Sequence, residues 1–422
     1  MAGRIVAILL IWVSTTVAWF LLAGTMSHRD KEKGSSNREQ VEALWGRKLH
    51  QVAPTVRSGA KASTHSVPLT ASTLNVDLDL THRKKGLQWY PTYRVTFEGR
   101  YKVQNPTNMP LAAVVYFPLP DEHAVYDEFR FAWGEKVMDD LTLQSGVVRR
   151  AVQLAPGAVE EFTVAYTSQG MGEWYYAFGE HAQQVRNFEL VMDTNFEAID
   201  FPTTGSSPTK KTRTAEGWRL EWRYGNLLSG VQIGMVMPEK LNPGPWVEQV
   251  SRAAPVSLFL FFFLVFITST LRGVRLHPMN YFFLAAAFFS YHLLLSYLVD
   301  HISIHVAFWI CSAVSIFLVV SYMRLVVDPR TAVMEVGVCQ VIYLVLFSYT
   351  FFFKGFTGLA ITILCIVTLF VVMQMTGRLD WEALFRGETP GQDEPDPEPP
   401  ASAEPPESPD GPPLPPPLPV ES

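Results

Sequence analysis

Six almost uncharged apolar runs, one near the N-terminus and five in the C-terminal half, constrain this 422-residue chain more than any other feature. Each is long enough to cross roughly 30 Å of hydrocarbon at about 1.5 Å of helical rise per residue. They cover approximately Ile5 to Ala23, Pro255 to Leu271, Met279 to Leu298, Ile304 to Met323, Ala332 to Phe353 and Phe356 to Met375. Arg4 gives the first run the positive flank of a signal peptide, but no A-x-A cleavage site follows, and Thr25 stands where a lipidated cysteine would have to be. An uncleaved anchor is expected.

Short loops set membrane orientation through their Lys and Arg residues. Arg272 with Arg275, Arg324 with Arg330, and Arg378 with Arg386 alternate with a loop at Asp300 and His301 that has neither, and only Lys354 lies on the opposite side. Both termini are therefore expected in the cytoplasm, with everything between the first and second helices in the periplasm. The cations His28, Arg29, Lys31 and Lys33 fall outside and run against this orientation. Cys311, Cys339 and Cys365 all lie within membrane runs, so the exported region has no disulfide framework and must rest on an ordinary core.

Between the first two helices, residues 29 to 40 read as a polar, solvated stalk. Val41, Leu44, Trp45, Leu49 and Val52 then recur at helical spacing up to Pro54, predicting a short amphipathic helix that covers a sheet edge rather than lying on the membrane. From Thr73 to Pro238 the period changes to two. Trp218, Leu220, Trp222 and Tyr224 alternate with Arg219, Glu221 and Arg223, apolar on one face and wet on the other. Further strands are expected at Thr73 to Leu80, Tyr93 to Val103, Ala112 to Phe117, Ala158 to Tyr166 and Val185 to Met192, with turns at Asn105-Pro106 and Pro156-Gly157, forming one antiparallel sandwich. After Arg386 the chain has no Lys or Arg and ends in a proline run. It is expected to be a disordered, acidic Pro-rich tail, either a solvated extension or a ligand for an aromatic groove on a cytoplasmic partner.

Arg275-Leu276-His277-Pro278-Met279-Asn280-Tyr281 opens an apolar helix that ends in Leu293-Leu294-Leu295-Ser296 and is followed by Asp300-His301. This entry and exit, together with Asp380-Trp381 after the last helix, resemble the membrane domain of the inner-membrane CreD (Cet) family. Arg38 and Trp45-Gly46 before Pro54 are similar to that family's post-anchor helix. The resemblance spans roughly residues 218 to 381; it departs where the family's usual Glu-His exit is Asp300-His301 here, and over most of the β region. It implies a bacterial inner-membrane protein associated with envelope stress, colicin tolerance and damaged cell wall, without an enzymatic activity.

The chain has no phosphate-binding P-loop, H-E-x-x-H, G-x-S-x-G or dinucleotide fingerprint. No cofactor and no nucleic-acid partner are expected. Ionisable groups inside a membrane are costly, which singles out His292 and Glu335. His292 shares a helix face with Ser296 and could relay a proton or bind a ligand; the alternative is a neutral imidazole bonded to a hydroxyl on a neighbouring helix. Glu335 is expected at the interface, within reach of Arg330 or Arg324. Asp300, His301 and His305 form an incomplete set of metal ligands, or else Asp300 or Ser303 caps the next helix. Arg275 is placed to meet lipid phosphates or a partner, with Pro278 at the first position of its helix. Trp89-Tyr90, Trp133, Trp174-Tyr175-Tyr176 and Trp246 could stack on glycan rings, though aromatics at period two also form cores.

The chain is thus expected to be an α-helical polytopic membrane protein of six transmembrane helices with an inserted all-β, sandwich-like periplasmic domain. Residues 1–27 form the anchor, 28–72 the stalk with its short helix, 73–250 the β-rich domain, 251–380 a five-helix bundle and 381–422 the tail. The leading reading is a non-enzymatic envelope protein in which the β domain meets a periplasmic cell-wall or protein ligand while the bundle sits in the lipid bilayer. The alternative is a small-solute or lipid transporter using the His292 region.

Overall fold

The computed structural model describes residues 2–59, 65–179, 185–227, 232–353 and 355–377. Lys354, the Arg378 and Arg386 pair, Asp380-Trp381 and the Pro-rich tail lie outside the described residues.

Among the described residues six helices are long and apolar enough to cross a membrane: α1 (Ala2–Trp45), α2 (Pro243–Leu271), α3 (Pro278–Leu298), α4 (Ile304–Met323), α5 (Pro329–Phe352) and α6 (Thr357–Thr376). α1 corrects the expected stalk. It runs unbroken through residues 29 to 40, because its Glu, Lys, Arg and Gln residues are good helix formers and pairs such as Arg38–Glu42 at 3.0 Å sit one turn apart. At about 1.5 Å per residue it is roughly twice as long as the hydrocarbon is thick, so its second half stands clear of the bilayer. The short helix expected to reach Val52 ends at Trp45. Gly46 takes φ +90°, and Leu49–Val52 is a strand in which Leu49 and Gln51 are buried alternately. The buried glutamine hides that alternation: its amide donates to the Val52 and Pro118 carbonyls and accepts from the Tyr166 hydroxyl.

The strands among the described residues are β1 (Leu49–Val52), β2 (Thr55–Ser58), β3 (His65–Val67), β4 (Leu69–Lys85), β5 (Gln88–Gln104), β6 (Leu111–Pro118), β7 (Tyr126–Trp133) and β8 (Lys136–Val137). Then follow β9 (Thr142–Gln144), β10 (Val147–Leu154), β11 (Val159–Met171), β12 (Glu173–Ala177), β13 (Val185–Thr194), β14 (Lys210–Arg213), β15 (Trp218–Leu227) and β16 (Ile233–Val236). They build an eight-stranded sheet in the order β14-β15-β13-β4-β5-β11-β7-β8, a five-stranded sheet β3-β2-β6-β10-β9, and a three-stranded sheet β1-β12-β16. Apolar faces of all three meet in one core, where Phe97 of the large sheet approaches Phe117 of the five-stranded one with ring centres 6.4 Å apart. The expectation of a wholly antiparallel sandwich is corrected: β13 pairs parallel with β4, and β1 parallel with β12. Parallel neighbours need a long crossover, and the chain between β4 and β13 supplies one by first building most of the second sheet.

Leu220 and Trp222 are fully buried as the alternation of β15 requires, with the Trp222 indole donating to the Ser206 carbonyl at 2.9 Å. Glu221, expected on the wet face, is only 8 % exposed, and Arg223 meets it at 3.1 Å. The aromatic residues considered for glycan stacking are largely core instead. Trp174 and Tyr176 are buried, Trp133 stacks on Phe162, and Trp246 is part of α2, which begins before the expected bundle boundary, with its ring 4.5 Å from Phe352.

His50 on β1 is half-buried against Tyr175, its Nε2 enclosed without a partner, and burial holds its pKa below the ordinary 6.5. The folded protein therefore keeps this imidazole neutral, while the unfolded chain takes up a proton first. The stabilisation is complete above 6.5 and is lost as pH falls towards the lowered folded value. Acidifying from about pH 7.5 to about 5.5 is expected to lower the melting temperature, and His50→Gln to flatten that slope. Parallel Tm-versus-pH curves for the two proteins would refute the assignment.

Candidate functional site

Three of the residues singled out by sequence lie on one seam between α1 and α3. Trp19, Met26 and Arg29 recur along α1 at helical spacing, and His292, Ser296 and Asp300 follow at intervals of four along α3 and its exit. Trp19 is fully buried and meets the His292 ring edge-on, 5.4 Å centre to centre. His292 donates through Nδ1 to the Phe288 carbonyl of its own helix at 3.0 Å, not to a hydroxyl on a neighbour as expected. The Ser296 hydroxyl likewise returns to its own helix, donating to the Leu293 carbonyl. Asp300 closes the seam. Arg29 reaches it with both terminal nitrogens, at 2.9 Å and 3.3 Å, a two-pronged ion pair with neither side chain more than about a third exposed.

Because Asp300 turns to Arg29, it does not converge with His301, which is exposed, or with His305, which stacks on Phe352 at 4.7 Å. Among the described residues no group of three or more His, Cys, Asp or Glu side chains could hold a metal ion. At the other end of the bundle, His277 caps α3 by accepting the Met279 N–H at 3.2 Å, Pro278 takes its first turn, and Arg275 is exposed. Glu335 pairs with Arg272 of the α2–α3 turn rather than with Arg330 or Arg324.

Above the seam, on the β-domain side, a joint forms that the sequence did not point to. β4 and β5 make one long hairpin whose tip, at Gly86 with φ +59°, comes down between α1 and the start of α2. Gln88 donates to the Asp30 carboxylate at 2.6 Å and accepts from the Tyr90 hydroxyl at 2.6 Å. Two glycines make this approach possible. A Cβ on Gly34 would stand 3.0 Å from the Gln88 amide nitrogen, and one on Gly244 would meet the Asp30 carboxylate at 2.5 Å. Asn242, the N-cap residue of α2, uses its side chain not to cap that helix but to accept the Trp89 N–H at 2.8 Å. Lys84 and Lys240 both face the Trp89 ring, at 5.8 Å and 4.5 Å from its centre. Beyond them, Val41, Tyr90 and Met171 form a small buried cluster against Trp45, tying the top of α1 to the sheet. Burial, reinforced by Asp30, raises the Tyr90 pKa and keeps it a donor.

Two cavities flank the joint. One of about 550 Å³ is lined by Met26, Arg29, Asp30, Gln88, Gly244 and Asp300. The other, about 290 Å³, lies on the far side of Gln88 and reaches Arg38, Trp89 and Asn242. The joint brings α1, α2, the exit of α3 and the β4–β5 hairpin within one hydrogen-bonded set. It is suited to passing displacement between domains, and a shift of the hairpin tip bears directly on Asp30, one residue from the Arg29 clamp.

Residues 246–382 match the family model described as inner membrane protein CreD. No curated protein matches the chain. Among solved structures, a Legionella pneumophila protein to which nutrient binding has been ascribed aligns with 60 % of this chain and 85 % of its own, at 9 % identity and a TM-score of 0.32.

Proposed function

Residues 246–382 match the CreD inner membrane protein family model, and from that likeness we propose a non-enzymatic envelope protein whose β domain responds to the periplasm. The response reaches the bundle through the joint at Asp30, Gln88 and Asn242. The observation that carries this reading is the mechanical continuity of α1, one helix that is membrane anchor below Arg29 and part of the β domain's support above it. Charge supports a cytoplasmic placement of one end of the bundle: Arg272, Arg275 and Arg324 on its turns and Arg330 in the first turn of α5 all lie at the end away from the β domain. Envelope stress is the signal in this reading, with colicin tolerance among its phenotypes and a cell-wall or protein ligand as the periplasmic contact. The Pro-rich tail offers the cytoplasmic contact.

The test is rescue of a strain lacking the gene, scored by sensitivity to detergents, colicin and wall-active antibiotics. A chain with residues 49–236 replaced by a short linker is expected to reach the membrane and fail to rescue. Rescue equal to that of the full chain overturns the proposal.

A further inference from the structure

The deepest polar groups of the bundle lie on the side of α3 away from the α1 seam, independent of the joint. α2 and α5 run antiparallel, aligned where the Ser257 hydroxyl donates to the Tyr343 carbonyl and where Trp246 stacks on Phe352. Ser251, between these two contacts on α2, is therefore level with Ser348 on α5. Tyr291 of α3 enters the same layer, its hydroxyl near those of Ser312 and Ser348 but without hydrogen-bond geometry to either, and its ring 6.2 Å from Phe308, which also touches Trp246. Deeper in the bundle, Gln340 donates to the Ser315 hydroxyl at 2.9 Å, and Ser315 donates to the Ala287 carbonyl at 3.1 Å. All of these polar side chains are at most 2 % exposed.

Four of their atoms have no hydrogen-bond partner: Gln340 Oε1, Tyr291 OH, Ser251 Oγ and Trp246 Nε1. Stranding such groups in a medium that offers no hydrogen bonds is costly, and four of them from three helices make a cost no single side-chain turn removes. The helix carrying Gln340 is itself irregular. Its backbone is π-wound on both sides of that residue, at Ala332–Gly337 and Val341–Leu346, a winding that recurs at functional sites.

We propose that Gln340, Tyr291, Ser251 and Trp246 line a hydrated binding site that runs from the β-domain rim of the bundle to its middle, occupied by water. An amide oxygen, two hydroxyls and an indole N–H offer acceptors and donors together, which suits a neutral occupant that both gives and takes hydrogen bonds. Water beside the Tyr291 hydroxyl and water beside the Gln340 oxygen, eight residues from Ser348 along α5, give each the partner it lacks. Trp246, nearest the rim, marks the entry.

The test is hydroxyl-radical footprinting of the full chain in lipid nanodiscs, where radicals formed from bound water mark the side chains beside it. Tyr291 is expected to be oxidised in spite of its burial while the equally buried Phe261 and Phe288 are not, and Gln340→Leu or, should that variant not fold, Ser251→Ala is expected to reduce the Tyr291 label. Tyr291→Phe gives a second reading: in a hydrated site it lowers the melting temperature, by on the order of 2 °C, because its water loses a partner. Tyr291 labelling no stronger than that of Phe288, or a Tyr291→Phe protein that melts at or above wild type, overturns the proposal.

Discussion

Gly46→Ala is expected to destabilise the protein by on the order of 3 kcal/mol or more, the sum of a strained backbone and a collision that nothing nearby can relieve. Gly46 sits at φ +90° where α1 hands over to β1, in the left-handed region that side chains disfavour. A Cβ there would stand 2.2 Å from the Gln169 carbonyl oxygen and 3.3 Å from the Gly170 Cα. These are main-chain atoms of β11, held in register by β5 and β7, so α1 must move instead. The Met171 N–H to Arg47 carbonyl bond at 3.1 Å and the Val41–Tyr90–Met171 cluster are then lost together. The control is the same substitution at Gly24 in the membrane part of α1, where a Cβ meets nothing within 4 Å. Thermal unfolding of the two variants in detergent should differ by many degrees; equal melting temperatures would mean that the α1–sheet contact is not tight. Gly46→Ala should also behave like the linker chain in the rescue assay, since it separates the β domain from α1 without removing either.

The six spans and the main strands could be read from sequence because their signals are local. A membrane run declares itself by length and lack of charge, and a half-buried strand by alternation. The upper half of α1 could not, since a helix without an apolar stripe has the same composition as a solvated stalk. β1 was masked by Gln51, a polar residue in a buried position, two of whose three partners, Pro118 and Tyr166, come from elsewhere in the fold. The joint is illegible for the same reason: Asp30 with Gln88, Trp89 with Asn242, and Arg29 with Asp300 are pairs far apart in sequence, and no spacing rule links their members. Intramembrane ionisable residues drew attention to His292, which turns out to be packed on Trp19. Gln340 and Ser251 drew none, because uncharged polar residues are ordinary in membrane helices until a structure shows that they lack partners.

Arg29→Glu is expected to cost about 2 kcal/mol and to abolish rescue. The value lies between exposed ion pairs, worth about 0–1, and buried ones, whose breaking costs about 3–5, because the Arg29 side chain is 30 % exposed and that of Asp300 19 %. Reversal does more than delete the pair, since it gathers a new carboxylate beside Asp30, Glu32 and Asp300 around one cavity. In the proposed orientation Arg29 is a cation on the side that the positive-inside rule disfavours, and the exit of α3 neutralises its charge there. The exchange Arg29→Glu with Asp300→Arg keeps both charges and both positions, and should recover most of the melting temperature and the rescue, with Asp300→Arg alone failing like Arg29→Glu. Such a pattern in a double-mutant cycle isolates the pair itself from the desolvation of either partner. If the double variant is no better than the sum of the singles, Arg29 acts on Asp30 or on lipid rather than through Asp300, and the path from the hairpin tip into the bundle has to run through Asn242 and α2.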